Sequence, residues 1–151
     1  MKFTPMLLKR LLNLYPPYLG AGVKVTYISE DWRELHVSMS LRWFNRNFVG
    51  THFGGSLYSM IDPHLMLLLM QLLGKEYLIW DKSAEIEFVK ASKRKVTSVI
   101  KISNKDIEVI RRHTDNGEKY FSNFIVEIKD EDEDLVAKVN KTIYVRRKQH
   151  E

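Results

Sequence analysis

The stretch Asn47-Phe48-Val49-Gly50-Thr51-His52-Phe53-Gly54-Gly55-Ser56-Leu57-Tyr58-Ser59-Met60-Ile61-Asp62 leads from a polar approach into the most apolar block of the chain. Two adjacent glycines leave the backbone bare, so another group can come close to it. If a helix begins at Gly54, its first N–H groups have no partner within that helix. They lie at the positive end of its dipole. Such donors suit a carbonyl oxygen that is gaining negative charge. An acidic side chain, Asp62, follows about two turns on and suits a general base. The run Leu65 to Leu73 continues the block with apolar residues nearly all round, as in a helix buried against a sheet. The spacing predicts one long helix over 54–73.

Working outward, several segments alternate with the period of half-buried strands. Val23, Val25 and Tyr27 form one apolar face, and Leu35, Val37, Met39 and Leu41 a second. Ala84, Ile86 and Phe88 form a third, and Val96, Ser98, Ile100 and Ile102 a fourth. Ser122, Phe124, Val126 and Ile128 make a fifth, and Leu135, Ala137, Val139, Ile143 and Val145 a sixth. Asn104 suits the cap of a short helix through Ile107 and Ile110, with Gly117 in the turn after it. The acidic run Asp130 to Asp134 reads as a solvated turn. Residues 1–19 predict an N-terminal amphipathic helix that stops before Pro16-Pro17. The order is helix, two strands, buried helix, two strands, short helix, two strands. It predicts a single α+β domain over 1–151, an antiparallel sheet on one long helix.

With 151 residues, 44% of them hydrophobic, the chain is long enough for a packed core. The absence of cysteine excludes a disulfide scaffold, a thiolate nucleophile and a cysteine-based zinc site. It fits a cytoplasmic location, and the N-terminus has no convincing targeting segment. The run Leu65 to Leu73 is shorter than the ~20 residues of a membrane span. A net charge of +5 favours polyanions in general. Nucleic-acid binding is disfavoured, because the tryptophans are not interleaved with the basic clusters.

The Asn47–Asp62 segment resembles the central helix of hotdog-fold acyl-CoA thioesterases, especially the phenylacetate-pathway type. Asn47 and Gly50 match that family's approach, Gly54 and Gly55 its glycine pair, and Asp62 its acidic position by count. The resemblance extends over residues 20 to 147 and is specific in the helix motif. Phe53 stands where the family has histidine, His52 lies one position earlier, and Pro63 directly follows Asp62. These departures look closer to an uncharacterised thioesterase-like branch.

The resemblance implies an acyl-thioester hydrolase whose pocket lies between two subunits of a homodimer or dimer of dimers. Asp62 is then a base or a nucleophile, and Gly55, with Gly54, polarises the carbonyl. Asn47, His52, Phe53 and Ser56 line the substrate. Coenzyme A enters as part of the substrate, with no other cofactor and no metal. Its phosphates would meet Lys90 and Arg94 in the cluster Lys90, Lys93, Arg94, Lys95, whose other reading is a solvated turn. Two further alternatives stay open. Asp62 followed by Pro63 also looks like a helix cap and first turn, and the pocket could bind an acyl group without hydrolysis. Dehydratase chemistry through His52 and Asp62 fits that family's spacing poorly.

Overall fold

Leu35, Val37 and Met39 are the buried face of β2 (Glu34–Met39). They show why alternation is a reliable guide in this chain: a half-buried strand hides every second residue. A computed structural model of the chain describes residues 2–149. Met1, His150 and Glu151, which the domain reading 1–151 includes, lie outside the described residues.

Six strands form one antiparallel sheet. They are β1 (Val23–Ile28), β2, β3 (Tyr77–Phe88), β4 (Val96–Lys101), β5 (Lys119–Asp130) and β6 (Leu135–Arg147), in the order β1-β2-β4-β5-β6-β3. On β1 a bulge between Val25 and Tyr27 breaks the expected alternation. Tyr27 turns outward against the His36 ring, 5.0 Å between centroids, and Ile28 takes the inward position. β3 starts earlier than its alternating half indicates, because Tyr77 and Ile79 also face the core. It pairs with β6 on one side only, so its other side is a free edge. On β6 the inward face runs Ala137, Val139, Lys141, Ile143, Val145. Lys141 is therefore a core position.

The predicted single helix over 54–73 is broken. α3 (Gly54–Ser59) and α4 (His64–Leu73) are separated by a turn over 60–63. Pro63 has no N–H and cannot continue the ladder. The chain responds with tighter bonds three residues apart: Ile61 N donates to Tyr58 O at 2.9 Å, and His64 N to Ile61 O at 3.2 Å. The whole segment Gly54–Leu73 is, by length and composition alone, apolar enough to cross a bilayer. Here it is the element against which the sheet packs. Met60, Ile61, Leu65, Leu68 and Leu69 are fully buried, each worth about 1.5–3 kcal/mol in removed apolar surface.

The N-terminal segment is two helices rather than one. α1 (Pro5–Leu14) is capped by the Thr4 hydroxyl, which accepts from Leu7 N at 3.2 Å. Pro16 and Pro17 end α1 as expected but also begin α2 (Pro16–Ala21), since proline is tolerated in a first turn. Asn13 ties α1 to the sheet: its Nδ2 donates to Val25 O, and its Oδ1 accepts from Val25 N. α5 (Asn104–Thr114) is capped by Ser103 and not by Asn104. Ser103 and Asp106 form a reciprocal capping box.

Candidate functional site

The approach loop is built by asparagines. Asn45 is buried, and its Nδ2 donates to Ala21 O at 3.2 Å and Ser40 O at 3.0 Å. Its Oδ1 accepts from Arg42 N, and its carbonyl accepts from Phe53 N. Gly22, at φ +81°, passes so close that a β-carbon there would lie 2.2 Å from the Asn45 amide. Asn47 folds the next turn on itself. Its Oδ1 accepts from Val49 N and Thr51 N, and its Nδ2 donates to Thr51 Oγ1 and His52 O. Every polar atom of the Asn47 side chain is thus used within the loop, and its role in this protomer is to shape the approach. Asn45, which no sequence motif marked, holds that loop to the body of the domain.

His52 is buried and anchors the loop to the turn between β3 and β4. Its N donates to Ser92 O at 3.1 Å, and its Nε2 donates to Arg94 O at 2.6 Å. Its Nδ1 is buried without a partner among the described residues. In that turn, Lys90 pairs with Asp134 at 2.5 Å and with Asp130 at 3.6 Å. Contact with Asp134 raises the Lys90 ammonium above its usual range. Arg94 pairs with Asp132 at 3.2 Å and Glu131 at 3.9 Å. The acidic run Asp130 to Asp134 is therefore clamped to this basic turn rather than merely solvated. Its Asp130, Asp132 and Asp134 carboxylates come within 4.8 Å of one another, with Lys90 and Arg94 against them. Lys93 and Lys95 make no ion pair among the described residues.

α3 begins at the glycine pair, with Phe53 at the cap and no side chain closing the end. The N–H groups of Gly54, Gly55 and Ser56 have no hydrogen-bond partner among the described residues. Two half-exposed rings lean on the glycines. A β-carbon on Gly54 would lie 3.0 Å from the Phe88 ring, and one on Gly55 would lie 2.7 Å from the Phe53 ring. Phe53 also borders an open cavity of about 650 Å³ together with Trp43, Phe44 and Phe48, flanked by Arg46 and Asn47. Ser56 is buried beneath the helix start.

Asp62 sits in the turn between α3 and α4, its side chain about half exposed. It is not a helix cap: no side-chain bond closes the start of α4. Its Oδ1 accepts from Tyr58 Oη at 3.2 Å and from Lys141 Nζ at 3.4 Å. Its carbonyl also accepts from Lys141 Nζ. The setting is thus a phenol and an ammonium rather than the apolar neighbours that the sequence around Asp62 implies. Burial raises the Tyr58 phenol. Lys141 is fully buried, with Asp81 Oδ1 2.7 Å away, an ion pair outside hydrogen-bond alignment. Burial alone would lower its pKa, but Asp81, with Tyr58 and Asp62, more than offsets this, and the ammonium is held above its usual range. His64, two residues from Asp62, turns into the core and meets Tyr18 instead.

A family model described as a domain of unknown function, DUF4442, matches residues 4–145. The chain belongs to the DUF4442 family. No curated protein matches this DUF4442 chain in sequence. Solved structures match its fold over nearly its full length. A Pseudomonas aeruginosa protein described as a probable thioesterase superposes with TM-score 0.82 at 14% identity, covering 97% of this chain and 100% of the other. A Haemophilus influenzae thioesterase gives 0.70 at 14% identity, over 100% and 97%. A Chlorobaculum tepidum protein of unknown function gives 0.75 at 14% identity, over 96% and 98%. The DUF4442 chain therefore shares the fold of these structures, the hotdog fold.

Proposed function

We propose that this DUF4442 protein hydrolyses acyl thioesters, with acyl-CoA as the substrate class. The observation that carries the reading is the state of Asp62. One carboxylate oxygen is held by Tyr58 and Lys141, while the side chain remains open to solvent. A carboxylate fixed on one oxygen and open on the other suits activation of water. Gly55 lies in the first turn of α3 and Asp62 in the turn that follows the helix, seven positions on. In the proposed reading a thioester carbonyl sits on the glycine amides and a water against the carboxylate. The amides of Gly54 and Gly55 polarise the carbonyl.

A second copy of the chain completes the pocket. The free edge of β3 and the exposed Phe88 beside Gly54 support this. An antiparallel partner strand would satisfy that edge. The cytoplasm, where acyl-CoA is at hand, is the proposed location. Lys93 and Lys95, which make no ion pair among the described residues, are better placed than Lys90 and Arg94 to meet the cofactor's phosphates.

The Phe53 and Phe88 rings over the glycine pair favour a second reading, acyl-group binding without turnover. One experiment separates the two. The purified protein is offered a panel of acyl-CoA esters while free thiol is followed. Hydrolysis that drops at least roughly a hundredfold in Asp62→Asn supports catalysis. Saturable binding with no thiol release by the wild type supports the binding module.

A further inference from the structure

Lys141 lies on the apolar face of β6, between Val139 and Ile143, with none of its side chain exposed. Lysine is almost never fully buried unless paired. The ammonium has three protons to place. Two oxygens accept from it, the Asp62 carbonyl and Asp62 Oδ1, and Asp81 Oδ1 stands beside it as an ion-pair partner. They come from the break between α3 and α4 and from the bulged part of β3, where the register shifts between Asp81 and Ser83. The Tyr58 ring stands 5.6 Å from the same ammonium. One buried cation thus joins the helix break, the edge strand and the strand between edge and core.

A purely structural staple would need only the carbonyl and Asp81. The contact with Asp62 Oδ1 adds something else. Together with Tyr58 Oη it gives that oxygen two donors, while Asp62 Oδ2 has no partner among the described residues. The carboxylate is therefore oriented, with one oxygen turned away from the protein's own donors. The backbone of the same residue is held by the same ammonium, so neither end of Asp62 can drift.

We propose that Lys141 is the positioning residue for Asp62, fixing from inside the sheet which carboxylate oxygen meets the substrate's water. The inference rests on the hydrolase reading above. Lys141 does not touch the thioester. Its contribution appears in kcat and not in KM, because it acts on the base and leaves the acyl and coenzyme A contacts alone.

The test compares Lys141→Met, the charge-free pair Lys141→Met with Asp81→Leu, Asp62→Asn, and Lys141→Met combined with Asp62→Asn. The pair removes the buried ammonium together with its partly buried Asp81 partner, so that it should fold even where the single variant leaves Asp81 without its cation. Folded Lys141 variants should lose roughly tenfold or more in kcat with KM little changed. Adding Lys141→Met to Asp62→Asn should cost nothing further, since both act on one group. If a folded Lys141 variant turns over at the wild-type rate while Asp62→Asn is inactive, Lys141 is only structural and the proposal falls. If the wild type releases no thiol, the hydrolase reading falls and takes this one with it; if the wild type releases thiol and Asp62→Asn is fully active, hydrolysis does not run through Asp62 and this proposal alone falls. A fold-safe readout uses the wild type alone: the ¹⁵Nζ resonance of Lys141 should move when a non-hydrolysable acyl-CoA thioether binds. A resonance unmoved at saturation also overturns the proposal.

Discussion

The phenol oxygen of Tyr18 and Nε2 of His64 stand 2.6 Å apart in the core, though 46 positions separate them in the chain. Tyr18 comes from α2 and His64 from the first turn of α4, so the bond pins the N-terminal helices to the central segment. The rings also meet edge to face at 5.6 Å. Burial lowers the His64 pKa from 6.5 to about 3 and raises the Tyr18 phenol. The folded state therefore keeps His64 neutral, while the unfolded chain binds a proton below pH 6.5. Stability from this group is complete above pH 6.5 and is lost as pH falls toward 3.

Denaturant unfolding at pH 7.5 and pH 4.5 should show this directly. On the order of 2 kcal/mol of stability should disappear over that interval through His64 alone. In His64→Gln the same interval should cost measurably less. An equal loss in both proteins would place the acid sensitivity elsewhere.

Gly55→Ala puts a methyl group where the edge of the Phe53 ring now lies. That ring is half exposed and free to swing, and alanine favours a helix over glycine. The melting temperature should shift by only a few degrees, equivalent to about 1 kcal/mol or less. Thioester turnover should fall roughly tenfold or more, because the displaced ring and the new methyl narrow the approach to the helix amides. Calorimetry alongside the thiol assay checks both halves.

Beyond its bulge, β3 carries Ala84, Ile86 and Phe88 on one face, with Ala84 and Phe88 exposed and Ile86 half-buried. Among the described residues of one protomer nothing pairs with that edge. Light scattering should give twice the chain mass. Ile86→Lys, a charge on the apolar side of the edge, should shift the protein toward one chain mass and lower turnover with it. A wild type that is monomeric at assay concentration, yet active, would show that one chain suffices.

Much of the architecture was readable because burial repeats with a fixed period. Leu35, Val37 and Met39, and Phe124, Val126 and Ile128, alternate strictly and are buried as that period requires. Where the period slips, alternation no longer gives the facing of a side chain. The bulge at Val25/Tyr27 sends Tyr27 outward, and a bulge depends on pairing that one strand does not show by itself. Ser103 rather than Asn104 caps α5 because the choice turns on one residue's dihedral angles and on Asp106 reaching back. Lys141 carries a signal in the sequence: it falls in step with Val139 and Ile143, where a charge demands a partner.

The sequence by itself determined the α+β order, the antiparallel sheet on an apolar central segment, and the run from Asn47 through the glycine pair to Asp62. These depend on neighbours along the chain, where periodicity and local chemistry suffice. Only the tertiary structure decided what the residues of that run face. It broke the long helix at Pro63 and bound Asn47 and His52 into the approach loop. It leaned Phe53 and Phe88 on the glycines, and set Lys141 against Asp62 across 79 positions. Such partners arrive from distant strands and are selected by packing and charge compensation, which no local pattern records.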